Sequence, residues 1–329
     1  MSNPKIYGFD DAGCKWETIH KNDHNSIIAS INSRIDSLGE KIIPIVWNDI
    51  PQSLFKIVYD ICYANGKYIA VGQNSSSKPQ MADSIDGITW NAISQTIFTR
   101  EYIKSICYGN GMYVAVGFSG QLAYSTDGIT WTQAVKGLTT SNFNSVCYGD
   151  GKFVVGRSDG NFLYSTDGIN WTSKGSGFGS SINSICYGNG RFVAVGGDGN
   201  NFYSTDGITW KRASGVSPGE SLIDVCYGDG KFVATRSGSN IIYYSENGET
   251  WNDKTFSDIS TSNPSSICYV SGKFIMIKDG DIVCISSDLN TSIIVNTNWL
   301  GDYYSLNYFN HRYFTSDDSG TMKYSQVGV

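Results

Sequence analysis

One seven-residue pattern, repeated along the chain, constrains the fold more than any other feature of the sequence. It reads Ser-Thr-Asp-Gly-Ile-Thr-Trp at residues 125–131, with near copies at 165–171 and 204–210. A copy with one change occupies residues 84–90, and a weaker copy, Ser-Glu-Asn-Gly-Glu-Thr-Trp, occupies residues 245–251. Asp-Gly or Asn-Gly between alternating apolar runs predicts a β-hairpin with a type I′ turn, whose two central residues both adopt positive φ. The Ser and Asp side chains are expected to hydrogen-bond backbone amides within the turn.

Each copy of the pattern belongs to a longer unit, of about 40 residues, that contains four predicted strands. In the second unit the strands are expected at residues 103–108, 112–117, 121–125 and 130–135. Gly-Asn-Gly or Gly-Asp-Gly triplets predict the turn between the first and second strands. Four antiparallel strands in a unit of this length are typical of a β-propeller blade.

The number of units predicts the number of blades. One tyrosine marks the first strand of each unit: Tyr63, Tyr108, Tyr148, Tyr187, Tyr227, Tyr269 and Tyr308. The seventh unit ends after Ser325 without a fourth strand, whereas residues 45–50 match the fourth strand of the first unit. An N-terminal strand that completes the last blade would remove an open sheet edge. We therefore predict an all-β fold: a seven-bladed β-propeller of four-stranded antiparallel blades over residues 45–329, closed by its N-terminal strand.

Residues 1–44 lie outside the repeats and are expected to form an N-terminal extension with a short helix. Apolar residues recur there at alternating spacings of three and four, as on one face of a helix: Ile28, Ile31, Ile35, Leu38 and Ile42. This helix would either pack on its own domain or anchor the chain to a partner or to a second copy of itself. Two heptads alone are marginal in water, so contacts from elsewhere would be needed.

Composition excludes several classes of protein. The net charge of −6 argues against nucleic-acid binding, because nucleic acids are bound by basic surfaces. No apolar run approaches the ~18 residues of a membrane span, so membrane insertion is not expected. No apolar segment follows the first residues, so we expect synthesis in the cytoplasm without a signal peptide.

The cysteines are expected to be free thiols. Six of the eight precede a tyrosine at equivalent positions of successive units: Cys62, Cys107, Cys147, Cys186, Cys226 and Cys268. Equivalent positions in a repeat point in the same direction, which keeps their Cα atoms too far apart for disulfide bonds.

The repeated pattern resembles the Asp-box, or bacterial neuraminidase repeat, of sialidase-type propellers, which reads Ser-x-Asp-x-Gly-x-Thr-Trp; here one residue fewer separates Asp from Trp. The resemblance covers residues 45–329 and implies the propeller fold, whereas the proteins that carry this repeat include hydrolases, lectins, assembly factors and sorting receptors. It implies a structural role for the following residues: Asp86, Trp90, Asp127, Trp131, Asp167, Trp171, Asp206, Trp210 and Trp251. Separately, residues 3–18 resemble the start of phage and prophage tail proteins.

Enzymatic activity is not expected from these residues. A sialidase would need three arginines, a tyrosine nucleophile with a carboxylate, and an aspartic acid as general acid. The Arg-Ile-Pro type motif that opens sialidase domains is absent, and the acidic loop residues are explained as turn residues. We therefore predict no catalytic residues. We also predict no metal and no cofactor, because no loop has calcium-ligand spacing and one small cluster matches no zinc motif: Cys14, His20, Asp23 and His24.

Binding is expected on one face of the propeller. If the first strand of each blade is innermost, the loops after the second strands and the links between blades share one face, which varies from unit to unit. We call it the variable face, and variable loops on a rigid scaffold are where ligands bind. The candidate ligand-binding residues are aromatic side chains and arginines: Trp299, Tyr303, Phe98, Phe178, Arg100, Arg157 and Arg236. Tyr102, Phe143 and Tyr304 are further aromatic candidates, although Tyr102 and Phe143 lie at strand starts, where a core role also explains them. Trp299 is equally explained by repacking of the irregular sixth blade.

These features together favour recognition over catalysis. The resemblances imply a non-enzymatic receptor-binding protein of a phage tail or phage-tail-like particle, such as a tail fibre or baseplate protein, that recognises a bacterial surface polysaccharide. Residues 1–44 would join it to other tail or baseplate proteins of the virion or particle, and the predicted helix is compatible with a homo-oligomer. A cytoplasmic or secreted bacterial lectin or protein-interaction propeller is the alternative, and a glycan hydrolase is the third.

Overall fold

The structure, a computed structural model, describes residues 7–8, 17–18, 47–50, 54–134, 140–175, 179–259, 264–278, 281–295, 303–309, 312–317 and 322–326. The chain has two compact units, Met1–Val46 with Gln326–Val329, and Trp47–Ser325. In the first unit, strand β1 (Tyr7–Gly8) pairs antiparallel with strand β2 (Glu17–Thr18). The extension predicted for residues 1–44 stays a prediction, and its helix, with Ile28, Ile31, Ile35 and Leu38, lies outside the described residues.

The second unit consists of seven four-stranded antiparallel sheets, which confirms the predicted seven-bladed β-propeller. It opens with strand β3 (Trp47–Asp49), followed by blade 1 with β4 (Ile57–Ala64), β5 (Lys67–Gln73), β6 (Pro79–Ser84) and β7 (Asn91–Ala92). Blade 2 contains β8 (Ile103–Gly109), β9 (Met112–Gly117), β10 (Leu122–Ser125) and β11 (Thr132–Gln133), with a 3₁₀ turn at Phe118–Gly120. Blade 3 contains β12 (Phe143–Gly149), β13 (Lys152–Arg157), β14 (Phe162–Ser165) and β15 (Thr172–Lys174).

The remaining four blades follow the same order of strands. Blade 4 contains β16 (Ile182–Gly188), β17 (Arg191–Gly196), β18 (Asn201–Ser204) and β19 (Lys211–Arg212). Blade 5 contains β20 (Leu222–Gly228), β21 (Lys231–Arg236), β22 (Ile241–Ser245) and β23 (Asn252–Thr255). Blade 6 contains β24 (Pro264–Val270), β25 (Lys273–Lys278), β26 (Asp281–Ser286) and β27 (Ser292–Val295). Blade 7 contains β28 (Tyr303–Phe309), β29 (Arg312–Asp317) and β30 (Met322–Gln326), and takes β3 as its fourth strand.

The ring closes between blades 7 and 1 at two places. On the outside, β3 pairs antiparallel with β30, with Trp47 opposite Ser325, which confirms the predicted closure by an N-terminal strand. On the inside, Ser316 Oγ accepts the Val58 N–H at 3.1 Å. The Ser305 and Ser316 hydroxyls also donate to the Val58 carbonyl, at 3.0 and 2.9 Å. Closure therefore joins both the outer and the inner strands of the seventh blade.

The first strand of each blade lies innermost, as assumed in defining the variable face, because first strands of neighbouring blades contact one another around the ring. Near its start, each first strand shows a register shift against the second strand, as between Ile103 and Ser105 of β8. A β-bulge of this kind leaves an extra residue unpaired and re-aims the neighbouring side chains. The bulges therefore bring polar side chains onto the ring axis.

The hydrophobic core lies between neighbouring blades. Between blades 2 and 3, Val114 and Leu122 share one buried cluster with Phe153 and Leu163. In each blade the tyrosine of the first strand also packs on an aromatic ring of the second strand, with centroids 4.5 to 5.0 Å apart. Since every blade buries apolar side chains on both faces, each blade depends on its two neighbours for its stability.

In blades 1 to 6, type I′ turns join the first strand to the second strand. At Asn110–Gly111, φ is 47° and 77°, and the equivalent residue pairs of blades 1, 3, 4, 5 and 6 also have positive φ at both positions. In the repeated Ser-x-Asp-Gly loops, only the glycine has positive φ, so the type I′ turn predicted there is wrong. The reason is loop length, since β10 ends at Ser125 and β11 begins only at Thr132.

Side chains of the Ser-x-Asp-Gly loops hold the loops in shape. Asp127 Oδ1 accepts the N–H groups of the second and third residues after it, at 2.8 and 2.7 Å. Ser125 Oγ accepts the Gly128 N–H at 2.9 Å, and Trp131 Nε1 donates to the Gly128 carbonyl at 3.1 Å. In the first loop, the equivalent hydrogen bonds from two backbone N–H groups lower the pKa of Asp86 to about 2.

The same arrangement recurs in the other copies, with one exception. The residues that accept two backbone N–H groups are Asp86, Asp127, Asp167, Asp206 and, in the fifth loop, Asn247. The indoles that donate to the loop glycine carbonyl are those of Trp90, Trp131, Trp171 and Trp251. Trp210 instead stacks on Phe162 of the preceding blade, with ring centroids 3.9 Å apart.

The glycine of each loop packs against the second strand of the preceding blade. A Cβ atom at Gly248 would lie 2.7 Å from Val193 Cγ2. The other contacts of this kind are Gly87 on Phe314, Gly128 on Ile69, Gly168 on Met112, and Gly207 on Val154. Positive φ and close approach together explain the glycine in these five copies, whereas in blade 6 Leu289 occupies the equivalent position with φ of 60°.

We predict that Gly248→Ala destabilises the fold more than Gly230→Ala. Both glycines have positive φ, 73° and 75°, so both substitutions incur a backbone cost of roughly 1–2 kcal/mol. A Cβ at Gly230 meets nothing within 4 Å, whereas one at Gly248 overlaps Val193. That overlap should add roughly 1–3 kcal/mol. Urea denaturation of the two variants measures the difference, and equal destabilisation would mean that the loop glycine is not required for contact between blades.

Candidate functional site

The two ends of the propeller differ in regularity. The type I′ turns and the Ser-x-Asp-Gly loops lie at one end, because Lys67 Nζ donates to the Asp127 carbonyl at 3.2 Å and the Arg191 guanidinium donates to the Asn247 carbonyl at 2.9 Å. We call this end the turn face. Strand order places the loops after the second strands, and the links between blades, at the opposite end, which is the variable face.

A cavity of 620 Å³ lies on the ring axis and is lined by the first strands of all seven blades. The side chains that line it include several charged and polar ones: Tyr59, Asp60, Lys104, Asn144, Asn183 and Asp224. The axis is therefore polar, in contrast to the apolar contacts between the blades. We therefore take this cavity as the candidate functional site.

A ring of short polar side chains surrounds this cavity. One equivalent position at the register shift of each first strand holds serine in five blades and aspartate in two: Asp60, Ser105, Ser145, Ser184, Asp224, Ser266 and Ser305. Four of these side chains accept a backbone N–H of the next blade: Asp60 from Ile106 at 3.0 Å, Ser105 from Val146 at 3.2 Å, Ser145 from Ile185 at 3.1 Å, and Asp224 from Ile267 at 2.9 Å. We call these seven residues the axial ring.

The two aspartates of the axial ring form additional hydrogen bonds with neighbouring serines. Asp60 Oδ2 accepts the Ser105 hydroxyl at 3.0 Å. Asp224 accepts the hydroxyls of Ser184 and Ser266, on either side of it, at 2.7 and 2.9 Å. A carboxylate at this position therefore joins its blade to the next through one oxygen, Oδ2, which accepts both a serine hydroxyl and a backbone N–H of the next blade.

On the axis, burial and the neighbouring polar and charged groups shift pKa values in opposite directions. Burial raises the pKa of Asp60 to about 6, although hydrogen bonds from neighbouring N–H and O–H groups favour its charged form. Burial lowers the pKa of Lys104, an effect that the carboxylates of Asp60 and Asp224 partly offset. Lys104 Nζ also lies 4.2 Å from the centre of the Tyr59 ring, in a cation–π contact.

An aromatic surface connects the axis to the variable face between blades 1 and 2. The rings of Tyr59 and Tyr102 are 5.1 Å apart, and those of Tyr102 and Phe118 are 5.5 Å apart with an edge-to-face orientation. All three residues are half-buried. The Tyr59 hydroxyl donates to Gln73 Oε1 at 3.1 Å. We call Tyr59, Tyr102 and Phe118 the mouth patch.

The ligand-binding residues predicted from the sequence are not brought together among the described residues. Phe98 is only 3% exposed and lies in the core between blades 1 and 2. Arg157 is 7% exposed and is paired with Asp159, and the Arg236 guanidinium lies 3.3 Å from Glu220. Arg100 is exposed on the variable face. Trp299, Phe178 and the side chain of Tyr303 lie outside the described residues, so the ligand-binding role of this set stays a prediction.

The axis and two of the three aromatic residues of the mouth patch were not predicted from the sequence. The residues concerned are Asp60, Lys104 and Asp224 on the axis, and Tyr59 and Phe118 in the patch. A signal was present, because these residues break the repeat at positions where most other units carry serine or another small or polar residue. Departures from a repeat are visible in one sequence, but only the structure shows that several of them meet at one place.

The cysteines of the first strands, two of which line the cavity, are free thiols whose protonated form is favoured by burial. All seven cysteines in the described ranges are free, as predicted. Burial raises the pKa of Cys284 to about 11, and it raises the pKa of the six first-strand thiols as well.

Within the described ranges, no three His, Cys, Asp or Glu residues are placed to share a metal ion. No helix in these ranges has the length and apolar character needed to cross a bilayer.

Comparison with known proteins supports the propeller fold. Residues 138–269 match a family described as "DUF6242 beta propeller domain". No curated protein sequence matches the chain. The solved structure "YCF48 bound to D1 peptide" shares 15% identity and a TM-score of 0.71, covering 88% of this chain and 99% of that chain. YCF48 from Cyanidioschyzon merolae shares 15% identity and a TM-score of 0.67, covering 85% and 98%.

A second kind of propeller is equally similar in shape. Virginiamycin B lyase from Staphylococcus aureus shares 8% identity and a TM-score of 0.74, covering 86% of this chain and 99% of that chain. At such identities the similarity concerns the fold alone. Both an enzyme and a peptide-bound protein are thus built on the same architecture.

We expect the wild-type protein to lose stability as pH rises from about 4 to about 6, and we predict that Asp60→Ser abolishes this loss. The pKa of Asp60 is raised to about 6 in the folded protein, compared with ~3.9 in an unfolded chain. The folded state therefore keeps a proton that the unfolded state has already lost, so the free energy of unfolding falls as pH rises through this range. Serine keeps an acceptor for the Ile106 N–H, as Ser145 does for Ile185. Urea unfolding of both proteins across this range tests it, and parallel pH profiles would contradict the raised pKa.

Proposed function

We propose that this protein is a non-enzymatic receptor-binding component of a phage tail or phage-tail-like particle, and that its variable face recognises a bacterial surface glycan. Residues 1–44 would join it to other tail or baseplate proteins. It would be made in the host cytoplasm and reside in the virion or particle. The tail assignment is motivated by the resemblance of residues 3–18 to tail proteins, and the recognition role by the geometry of the propeller.

The observation that carries the recognition role is a constant backbone with changing side chains on the variable face. In four blades the same backbone hydrogen bond joins the residue before the first strand to the residue after the second strand. The pairs are Tyr102 and Phe118 at 3.1 Å, Asn142 and Ser158 at 2.9 Å, Ser181 and Gly197 at 3.0 Å, and Ser221 and Ser237 at 2.9 Å. A rigid frame that varies its side chains on one face suits ligand recognition.

An interaction with another protein is the second candidate. The similar propeller YCF48 has been solved with a D1 peptide bound, so this architecture accommodates a peptide. A glycan hydrolase comes third. The carboxylate of Asp60 has a raised pKa, as a general acid requires, but three hydrogen-bond donors already occupy its oxygens: Ile61 N–H, Ser105 Oγ–H and Ile106 N–H. That arrangement suits an interaction between blades better than proton transfer to a substrate.

Binding to bacterial surfaces tests the receptor role. The purified protein should bind saturably to whole cells and to extracted cell-wall polysaccharide of a susceptible strain, without releasing reducing sugar. Trp299→Ala should weaken this binding by about tenfold if the Trp299 ring contacts the glycan. Ile85→Thr is the matched control, because Ile85 is 78% exposed on the turn face and three other loops carry threonine there. Binding to no cell surface, together with binding to other particle proteins, would replace the receptor role with a structural one.

Truncation tests the anchoring role of the N-terminal region. Removal of residues 1–40 should leave the propeller folded, because β3 begins at Trp47 and the ring can still close. The truncated protein should nevertheless be missing from purified particles, whereas the full chain is incorporated. Circular dichroism and urea unfolding report the fold, and sedimentation with particles reports incorporation. Incorporation of the truncated protein at the normal level would refute the anchoring role.

A further inference from the structure

We propose that the mouth patch is a binding subsite for a neutral pyranose glycan. The proposal rests on the recognition role proposed above, and it gives that role a place on the molecule. The patch consists of Tyr59, Tyr102 and Phe118, which extend from the axial cavity to the variable face between blades 1 and 2.

The fold does not require aromatic residues at these positions. Tyr102 and Phe118 form the pair that is joined by the repeated backbone hydrogen bond. In the three other blades with that hydrogen bond, the pair consists of Asn142 and Ser158, Ser181 and Gly197, or Ser221 and Ser237. Polar or small residues therefore satisfy the same backbone geometry elsewhere in the ring. Half-exposed aromatic rings at the one exceptional pair indicate a role beyond packing.

The rings form a continuous apolar strip with adjacent hydrogen-bonding groups. Neighbouring centroids are 5.1 and 5.5 Å apart, so the three rings are in contact. Polar groups adjoin this strip: the Tyr59 hydroxyl donates to Gln73 Oε1 at 3.1 Å, and Arg100 and Glu101, which precede Tyr102 in the chain, are exposed. Aromatic rings cover the C–H faces of pyranose sugars, and amide and hydroxyl groups bind their hydroxyls. The combination matches a carbohydrate better than a purely apolar ligand.

The surroundings of the patch are held in place before any ligand binds. Phe118 belongs to the 3₁₀ turn, where the Ser119 N–H donates to Asn142 Oδ1 at 3.0 Å. The Gln121 amide fixes the link before blade 2, since Nε2 donates to the Ile97 carbonyl at 2.7 Å and Oε1 accepts the Arg100 N–H at 3.3 Å. A surface that is already ordered loses little conformational entropy on binding.

The charges next to the patch favour a neutral ligand over an anionic one. Lys104 lies over the Tyr59 ring and interacts with the carboxylates of Asp60 and Asp224. On the outer side, Arg100 and Glu101 are adjacent, exposed and opposite in charge. These five side chains comprise three carboxylates and two cations, so an anionic polymer gains no net attraction. A neutral glycan is not affected by this excess of negative charge, because it binds through stacking and hydrogen bonds.

The test compares the wild-type protein with the double variant Tyr102→Asn/Phe118→Ser. These substitutions install the residues that blade 3 carries at the same pair of positions, so the fold should be kept. Ile85→Thr serves as the control on the turn face. The probes are neutral hexasaccharides of glucose, mannose and N-acetylglucosamine, an acidic hexagalacturonate, and a polyproline peptide, each titrated by calorimetry. Thermal unfolding confirms that all three proteins remain folded.

We expect saturable binding of at least one neutral hexasaccharide by the wild-type and control proteins, and a loss of affinity of about tenfold or more in the double variant. The acidic oligosaccharide and the peptide should bind more weakly. The proposal is overturned if no neutral hexasaccharide binds, if the acidic sugar or the peptide binds more tightly, or if the double variant binds as well as the wild type.

The outcome also separates this proposal from the receptor role. If bacterial cells bind the wild type and the double variant equally, the receptor role stands and the mouth patch is not its subsite. If the hexasaccharide binds at the patch while no bacterial cell or polysaccharide binds the protein, the subsite stands and the receptor role fails.

Discussion

The ring depends on one recurring interaction, in which a side chain on the axis accepts a backbone N–H from the next blade. The bulge near the start of each first strand takes residues out of the regular ladder, and a buried N–H without an acceptor costs about 1–3 kcal/mol. Ser105 and Ser145 supply the acceptor for the blades that follow them. Without the four axial side chains that accept such an N–H, four of the bulged strands would each bury an unsatisfied donor.

Two members of the axial ring carry a carboxylate and still keep the hydrogen bond between blades. Asp60 and Asp224 replace serine and still accept the N–H of the next blade. Their second function is electrostatic, because they bring two carboxylates to the axis beside the Lys104 ammonium group. Burial on the axis raises the pKa of Asp60, and the nearby Asp224 carboxylate adds to the effect. The axial serines and aspartates alike therefore maintain the ring, whereas the two aspartates also make their part of the axis charged.

Most of the architecture could be predicted from the sequence, because the repeat recurs often enough to reveal both the unit and its missing strand. The turn type could not, since Asp127 acts through its carboxylate rather than through a positive φ, and a dipeptide does not show this. The position of Phe98 could not be predicted either. The Gln95 side chain accepts the Phe98 N–H at 2.8 Å, and the link folds the ring into the core. Arg157 likewise turns back to Asp159, two residues further on.

The candidate site was harder to predict than the fold for a general reason. Its members come from positions far apart in the chain, such as Tyr59 and Phe118, or Asp60 and Asp224. Each lies in a strand or loop whose pattern is ordinary when read alone. Their proximity follows from the closing of the ring and from the bulges that turn side chains onto the axis. Neither property is visible in local residue patterns.

The strand that completes blade 7 also has a consequence for the order of folding. Each of the other blades is built from a continuous stretch of chain, so its hairpins can form from near neighbours. The pair of Asp49 and Lys323 is separated by 274 residues. Bringing such distant segments together has an entropic cost that grows slowly with separation, and contacts of this kind form late. The other six blades are therefore expected to assemble as an open arc with two uncovered ends, which the final pairing of β3 with β30 converts into a ring. The uncovered ends of such an arc would expose apolar side chains to water, which favours aggregation.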